Sequence, residues 1–208
     1  MKKLLTAIIA VLFAAPSFAQ FSSGGFTLDG STVYYGLRLG GTLASIGGDL
    51  GDEIDMGSKG GMTLGGVIGL RVSDTTPIFL ESGLYYTERG AKDGKRKVGL
   101  TYLELPVLIK YGLQLNDDIA LLPHLGPYFS YGIAGRFKDK EKLGISESSY
   151  KNSFRHFDMG FKLGCGIEYN MLYAELGYQF GIANIARDND QDLDAKGRAL
   201  YLNLGVNF

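Results

Sequence analysis

The chain has 208 residues and a formal charge of −1, which suits one domain or a small pair and gives no bulk attraction to nucleic acid. Its 31 glycines, 13 tyrosines and 12 phenylalanines, with no tryptophan, fit tightly curved sheet with aromatic interfaces better than helices. The single cysteine, Cys165, cannot close an internal disulfide, and beyond the first twenty residues no run of about 20 apolar residues offers a membrane helix.

The N-terminus sets the compartment. Lys2 and Lys3, the apolar run from Leu4 to Ala15, and the small-x-small site Ser17-Phe18-Ala19 have the build of a secretory signal peptide. That apolar run is too short to cross about 30 Å of hydrocarbon. Residues 1–19 are expected to be removed, residues 20–32 to form a short periplasmic N-terminal segment, and residues 33–208 to form the folded domain. No cysteine follows the cleavage site to carry a lipoprotein anchor.

Eight segments then alternate apolar and polar residues with period two, the mark of strands with two unlike faces. The first, Val33 to Leu43, sets Val33, Tyr35, Leu37 and Leu39 against Tyr34, Arg38 and Thr42. The second, Met62 to Val72, sets Met62, Leu64, Ile68 and Leu70 against Thr63 and Arg71; the third sets Leu80, Leu84 and Tyr86 against Glu81, Thr87 and Arg89. In the fourth, Leu103, Leu105, Val107, Ile109 and Tyr111 oppose Tyr102, Glu104, Pro106 and Lys110. In the fifth, Leu121, Leu125, Phe129, Tyr131 and Ile133 oppose His124, Tyr128 and Ser130. The sixth runs Phe157, Met159, Phe161, Leu163, Cys165 and Ile167 against Asp158, Lys162 and Glu168; the seventh runs Leu172, Ala174, Leu176, Phe180 and Ile182 against Tyr173, Glu175 and Gln179. The last alternates Leu200, Leu202, Leu204, Val206 and Phe208 with Tyr201, Asn203, Gly205 and Asn207. No apolar face carries a charge.

Which face points outward decides the fold. The polar face is mostly glycine with scattered Arg, Lys, Glu and Tyr, poor in ordinary surface Lys and Glu. The apolar face is continuous and ends in aromatics: Tyr35, Tyr111, Tyr169 and Phe208 at one end, Tyr86, Tyr131 and Phe157 at the other. Aromatic girdles around an apolar band describe a barrel seen by lipid, where a soluble lipocalin-like barrel would turn its charged face to water. The links agree. Ser73 to Thr76, Gln114 to Asp118 and Asn170 are short; Ala44 to Gly61, Gly135 to Arg155 and Ile185 to Gly197 are long, with Gly90 to Lys97 intermediate. Outer-membrane barrels alternate short periplasmic turns with longer extracellular loops, and closure leaves no edge strand exposed to lipid. The expected fold is all-β: an eight-stranded antiparallel transmembrane up-and-down β-barrel with periplasmic termini, strand one beside strand eight.

The interior of such a barrel is just wide enough for side chains to fill. The inward set contains Arg38, Arg71, Arg89, Lys110 and Lys162 against Glu81, Glu104, Glu168 and Glu175. Charges confined there must be paired, so a roughly neutral ion-pair network plugging the lumen is expected. Arg71 with Glu81, and Lys162 with Glu175, lie across short turns and are the expected contacts. His124, inward and mid-chain, reads as a satisfied lumen residue. Lipid-modifying barrel enzymes need a rim nucleophile, and no lipid-face Ser–His pair, P-loop, dinucleotide fingerprint or zinc spacing appears. No catalytic residue, metal or cofactor is expected. The links are acidic in places, at Asp49, Asp52, Glu53 and Asp55 and at Asp188, Asp190, Asp192 and Asp194; Leu193 stands where a calcium loop wants Gly, so solvated loops are expected. The link holding Lys138, Lys140 and Lys142 is mixed in charge.

Thr101-Tyr-Leu-Glu-Leu-Pro-Val-Leu-Ile-Lys-Tyr111, followed by Gly126-Pro127-Tyr128, resembles the motifs of the PorT-like outer-membrane β-barrel family common in Bacteroidetes, over essentially residues 21–208. The terminal Phe208 resembles the C-terminal signature of bacterial outer-membrane barrels, which implies recognition by the barrel-assembly machinery. The resemblance implies a Gram-negative outer membrane with its lipid and lipopolysaccharide as surroundings, no enzymatic activity, and a structural or interaction role through loops or periplasmic turns. A partner in a secretion-type complex or at the cell surface goes with it, and nucleic acid does not.

Overall fold

A computed structural model describes residues 33–47, 57–73, 75–93, 96–116, 118–139, 145–146, 156–182 and 196–208. Eight long strands follow one another: β1 Val33–Gly47, β2 Gly57–Arg71, β3 Ile78–Asp93, β4 Arg96–Tyr111, β5 Ile119–Asp139, β6 Phe157–Tyr169, β7 Leu172–Gly181 and β8 Lys196–Asn207. Two-residue segments at Leu113–Gln114 and Ile145–Ser146 add to β5. Every strand pairs antiparallel with its sequence neighbours, and β1 pairs β8 through Leu39↔Leu204. The sheet therefore closes as expected. The seam is sealed at the last residue, where Tyr35 and Phe208 exchange both backbone bonds, at 3.1 and 2.7 Å.

The turns at the termini end follow from their side chains. Asn116 Oδ1 accepts from the amides of Asp118 and Ile119 at 3.1 and 2.8 Å, and Ser73 Oγ accepts from the Thr76 amide, so both side chains bond their own backbone. Asn170 takes φ of 53° in the β6–β7 turn, a left-handed conformation that Asn tolerates better than other non-glycine residues.

The faces point as the alternation requires. Leu105, Ile109, Leu163, Leu176 and Leu202 are 44–58 % exposed, which in water would be an unsupportable apolar band and in a membrane is its lipid contact. Both aromatic girdles lie on this outer face, from Tyr35, Tyr111, Tyr169 and Phe208 at the termini end to Tyr86, Tyr131 and Phe157 at the other. At that second end the strands outrun the reading from periodicity. β3 and β4 stay paired to Asp93↔Arg96, and β4 and β5 to Arg96↔Asp139. The intermediate link Gly90 to Lys97 is thus mostly ladder, and Lys138 belongs to β5. Charged residues carry these extensions, so the apolar alternation that marks a lipid-facing strand stops before the ladder does. Residues 1–32 and both acidic links lie outside the described residues.

The tyrosine–glycine pairing explains the composition. Gly69 stands opposite Tyr34 and Gly177 opposite Tyr201, and a Cβ on either glycine would meet the tyrosine ring. Inward tyrosines lie flat over neighbouring glycines, an arrangement that lets large rings share a narrow bore with charged side chains.

Candidate functional site

The inward faces converge on one polar cluster. Among the described residues, nine charged side chains are buried there: Arg38, Glu81, Arg89, Glu104, Lys110, Asp158, Lys162, Glu168 and Glu175. They form two tiers.

The tier nearer the long links centres on Glu104 of β4. Its carboxylate meets both Arg89 of β3 and Lys162 of β6, so Lys162 reaches over β5 to its partner. Arg89 also pairs with Asp158 at 2.9 Å and donates to Ser130 Oγ at 3.3 Å, while Ser130 donates on to Glu104 at 3.2 Å. Tyr128 donates to Asp158 at 3.3 Å. With its amide oxygen turned to Arg89, Gln179 accepts from Nη2 at 2.7 Å. Lys162 also stands 4.7 Å from the centre of the Tyr201 ring, a cation–π contact.

The tier nearer the termini centres on Glu81. Lys110 Nζ lies 2.8 Å from Glu81 Oε1, Arg38 Nη2 lies 3.5 Å from Oε2, and Tyr34 donates to Oε2 at 2.7 Å. Neutral groups extend this tier. Lys110 donates to the Tyr173 hydroxyl at 2.8 Å, Tyr173 donates to Glu175 at 2.9 Å, and Asn203 donates to the other Glu175 oxygen at 2.7 Å. Asn207 accepts from Arg38 at 2.6 Å and donates to Glu168. The Arg38 guanidinium lies 3.9 Å above the Tyr173 ring. His124 places Nε2 3.0 Å from the Tyr201 hydroxyl and 3.9 Å from Glu175, with Nδ1 3.2 Å from the Leu122 carbonyl.

Of the residues singled out from sequence, Arg38, Glu81, Arg89, Glu104, Lys110 and Lys162 stand in direct ion pairs, and Glu168 and Glu175 are reached through amides and a hydroxyl. The two expected pairs are not the ones formed. Arg71 is half-buried at the turn end and donates to the Ser73 carbonyl at 2.9 Å, and Glu81 is taken by Lys110 and Arg38. Lys162 goes to Glu104, and Glu175 to Tyr173 and Asn203. The reason is geometric: in a narrow bore a long side chain meets its partner across the lumen, so sheet register alone does not select it. Sequence reading also missed Asp158 and the neutral linkers Tyr34, Tyr173, Asn203 and Asn207. Their strand parity already placed them inward; selecting only charges, and Asp158 not among them, left them out.

The Tyr-Leu-Glu-Leu-Pro motif has a local consequence. The β3–β4 register passes from Ser82↔Val107 to Tyr85↔Glu104 with no partner for Pro106, and Ser82 Oγ donates to the Pro106 carbonyl at 2.9 Å. A proline has no amide to give the ladder, and on the β3 side its carbonyl, two residues along the strand from Glu104, is met by the lipid-side Ser82 hydroxyl. Ser82 is thereby accounted for structurally. Among the described residues, no group of three His, Cys, Asp or Glu side chains could hold a metal ion, and no helix is long and apolar enough to cross a membrane.

The chain matches the family model of the outer membrane protein beta-barrel domain over residues 18–187. No curated protein matches it. Among solved structures it is similar to Ail, the attachment invasion locus protein of Yersinia pestis, in complex with the heparin analogue sucrose octasulfate, at 12% identity over 86% of this chain and 100% of that one, with a TM-score of 0.45. Neisserial surface protein A is 19% identical over 86% of this chain and 98% of its own, with a TM-score of 0.46. A major outer membrane protein from Thermus thermophilus is 13% identical over 86% and 100%, with a TM-score of 0.49. The family match and the closed lipid-facing barrel agree: this chain belongs to the outer membrane protein β-barrel domain family and resides in the outer membrane.

Proposed function

We propose that the protein is a non-enzymatic scaffold of the outer membrane whose bore is plugged, acting as a structural or interaction component through its loops or periplasmic turns. The observation that carries this reading is the wall-to-wall polar network. Glu104 ties β3 to β6, and Glu81 ties β1, β3 and β4, so ions entering from either end meet side chains already paired with one another. An eight-stranded barrel has no spare width for water beside such a layer. The remaining interaction surfaces are the ends. Phe208, sealing the β1–β8 seam, is the residue offered to the assembly machinery, and the PorT-like motif around Glu104 favours a partner in a secretion-type complex of a Bacteroidetes cell.

Planar-bilayer recording of the refolded chain tests the plug. No unitary conductance is expected from the native protein at moderate voltage. Stable, ion-selective steps would overturn the plug and favour a small channel. Crosslinking in native outer membranes, followed by identification of proteins bound to the periplasmic turns, tests the interaction role; recovery of a changed lipid A in a deletion strain would instead favour an enzyme.

A further inference from the structure

Two stretches distant in sequence, Tyr102-Leu-Glu-Leu-Pro106 and Gly126-Pro127-Tyr128, meet in the barrel wall. Pro106 is the Cα partner of Tyr128, and one step along, Pro127 falls opposite Val107. The β3–β4 ladder lapses between Ser82↔Val107 and Tyr85↔Glu104. The β4–β5 ladder lapses between Pro106↔Tyr128 and Ile109↔Leu125. Register is unchanged across both lapses, so the strands neither bulge nor slip. What is missing is bonds. The Pro106 carbonyl is turned to β3, where Ser82 Oγ meets it at 2.9 Å, and bonding direction alternates along a strand. The bond that Pro106 cannot donate would have gone to Gly83 of β3, and the bond that Pro127 cannot donate would have gone to Val107 of β4. A third lapse, between Lys110↔His124 and Leu113↔Leu121, lies at Pro123 near the lower girdle and again flanks β4. Among the described residues the other interruptions, at Ser58/Thr63 and Thr101/Tyr102, are shifts of register beyond the upper girdle. By contrast, β7 is laddered without a break on both sides.

The consequence follows from the solvent. Hydrocarbon holds no water to replace a missing backbone bond, so Leu105–Leu108 is the part of the wall held most weakly by its neighbours. The residues facing it, Gly83 and Gly126, have no side chain to wedge it in place. The hold on this segment from inside is at its end, where Glu104 meets Arg89 and Lys162. We propose that Leu105–Leu108 is a loose stave: it parts from β3 and β5 while the other strands stay closed. Glu104, drawn with it away from Arg89 and Lys162, then opens the upper tier of the lumen. Wall and plug thus share one moving part, and the two proline-bearing stretches are its hinge. The opening of the tier rests on the plugged-bore reading; the detachment of the stave does not.

Residue-resolved hydrogen exchange of the full chain in lipid nanodiscs tests this. The amides of Leu105, Val107 and Leu108 should exchange at least about tenfold faster than those of Ala174, Leu176 and Tyr178 on β7, the worth of about one hydrogen bond. Pro106→Ala and Pro127→Ala each return a donor to the ladder, and each should slow exchange on β4 about tenfold while leaving β7 as it was. Glu104→Gln should speed exchange on β4 by more than about tenfold and on β7 far less. Equal protection of β4 and β7 in the native barrel would overturn the stave, as would proline variants that fail to slow β4. If Glu104→Gln speeds both strands alike, the upper tier does not hold the segment and the link to the plug falls. A unitary current from the native barrel would overturn the plug alone, because the exchange contrast stands without it. Should Glu104→Gln fail to give the heat-shifted band of a folded barrel, Lys162→Gln is read in its place, with faster exchange on β4 expected and no change counting against the link.

Discussion

The two tiers of the lumen solve one problem in different ways. Near the long links, opposite charges touch directly: Glu104 serves Arg89 and Lys162, and Arg89 serves Asp158 as well. Near the termini, Glu81 takes Lys110 and Arg38 directly, but hydroxyls and amides link these cations to the remaining acids, as Tyr173 does between Lys110 and Glu175 and Asn207 does between Arg38 and Glu168. Direct pairing concentrates the loss when one partner goes, because a buried charge is left behind. A tier with neutral linkers can re-partner, because a hydroxyl both donates and accepts. Glu104 is thus the residue whose removal the barrel tolerates least.

Glu104→Gln should show the largest effect. It leaves Arg89 with Asp158 and Gln179, but leaves Lys162 with only tyrosine rings among its described contacts. Breaking a buried pair this way costs about 3–5 kcal/mol. Urea unfolding of the refolded barrel, followed by tyrosine fluorescence, measures it. If Glu81→Gln proves equally destabilising, the contrast between the tiers fails.

Leu105→Arg comes next and separates lumen from strand. Leu105 is the neighbour of Glu104 but faces lipid, 44 % exposed. Arginine near the bilayer midplane costs about 2–4 kcal/mol, and this cost should appear in lipid vesicles and shrink in short-chain micelles. The loss from Glu104→Gln should be the same in both media, since its partners are inside. A common dependence on the lipid would mean that the strand and not the network is being perturbed.

Glu81→Gln should cost less, about 1–3 kcal/mol. Lys110 keeps the Tyr173 hydroxyl and Arg38 keeps Asn207, and the new amide still accepts from Tyr34. The double variant with Glu104→Gln sharpens the point. Among the described residues no ion pair joins the two tiers, so the two losses should add to within about 0.5 kcal/mol; strong coupling would make the lumen one network instead of two.

The fold was legible because a lipid-facing strand has a two-residue period and a girdle at each end, and both are written in single residues such as Tyr35 and Phe208. The inward location of Arg38 or Glu175 followed from parity alone. Partner choice did not. Lys162 and Glu175 are near in sequence, yet a long lysine side chain crossing a narrow bore finds Glu104 two strands away, and nothing periodic records that reach. The strand extensions past the upper girdle were hidden for a related reason. Outside hydrocarbon both faces are polar, so Arg96 and Asp139 pair in a ladder that has no apolar alternation to announce it.

The smallest expected effect is at Asp190, and it calibrates the rest. Asp190 belongs to the 183–195 link, read from the sequence as a solvated acidic stretch. Replacing it by Asn removes the same unit of charge as Glu81→Gln does, and nearly the same volume. If the cost of losing a carboxylate came from net charge, the two variants should unfold alike. If it comes from stranding Lys110 and Arg38 in a confined bore, only Glu81→Gln should matter, and Asp190→Asn should stay within about 0.5 kcal/mol of the native protein. Added salt divides the two further. Screening acts over about 10 Å at 0.1 M and reaches exposed charges far more than buried ones, so whatever small shift Asp190→Asn produces should vanish in 0.5 M sodium chloride, while the Glu81→Gln shift persists. Equal melting shifts on unboiled gels, or equal salt sensitivity, would remove the case for a paired lumen.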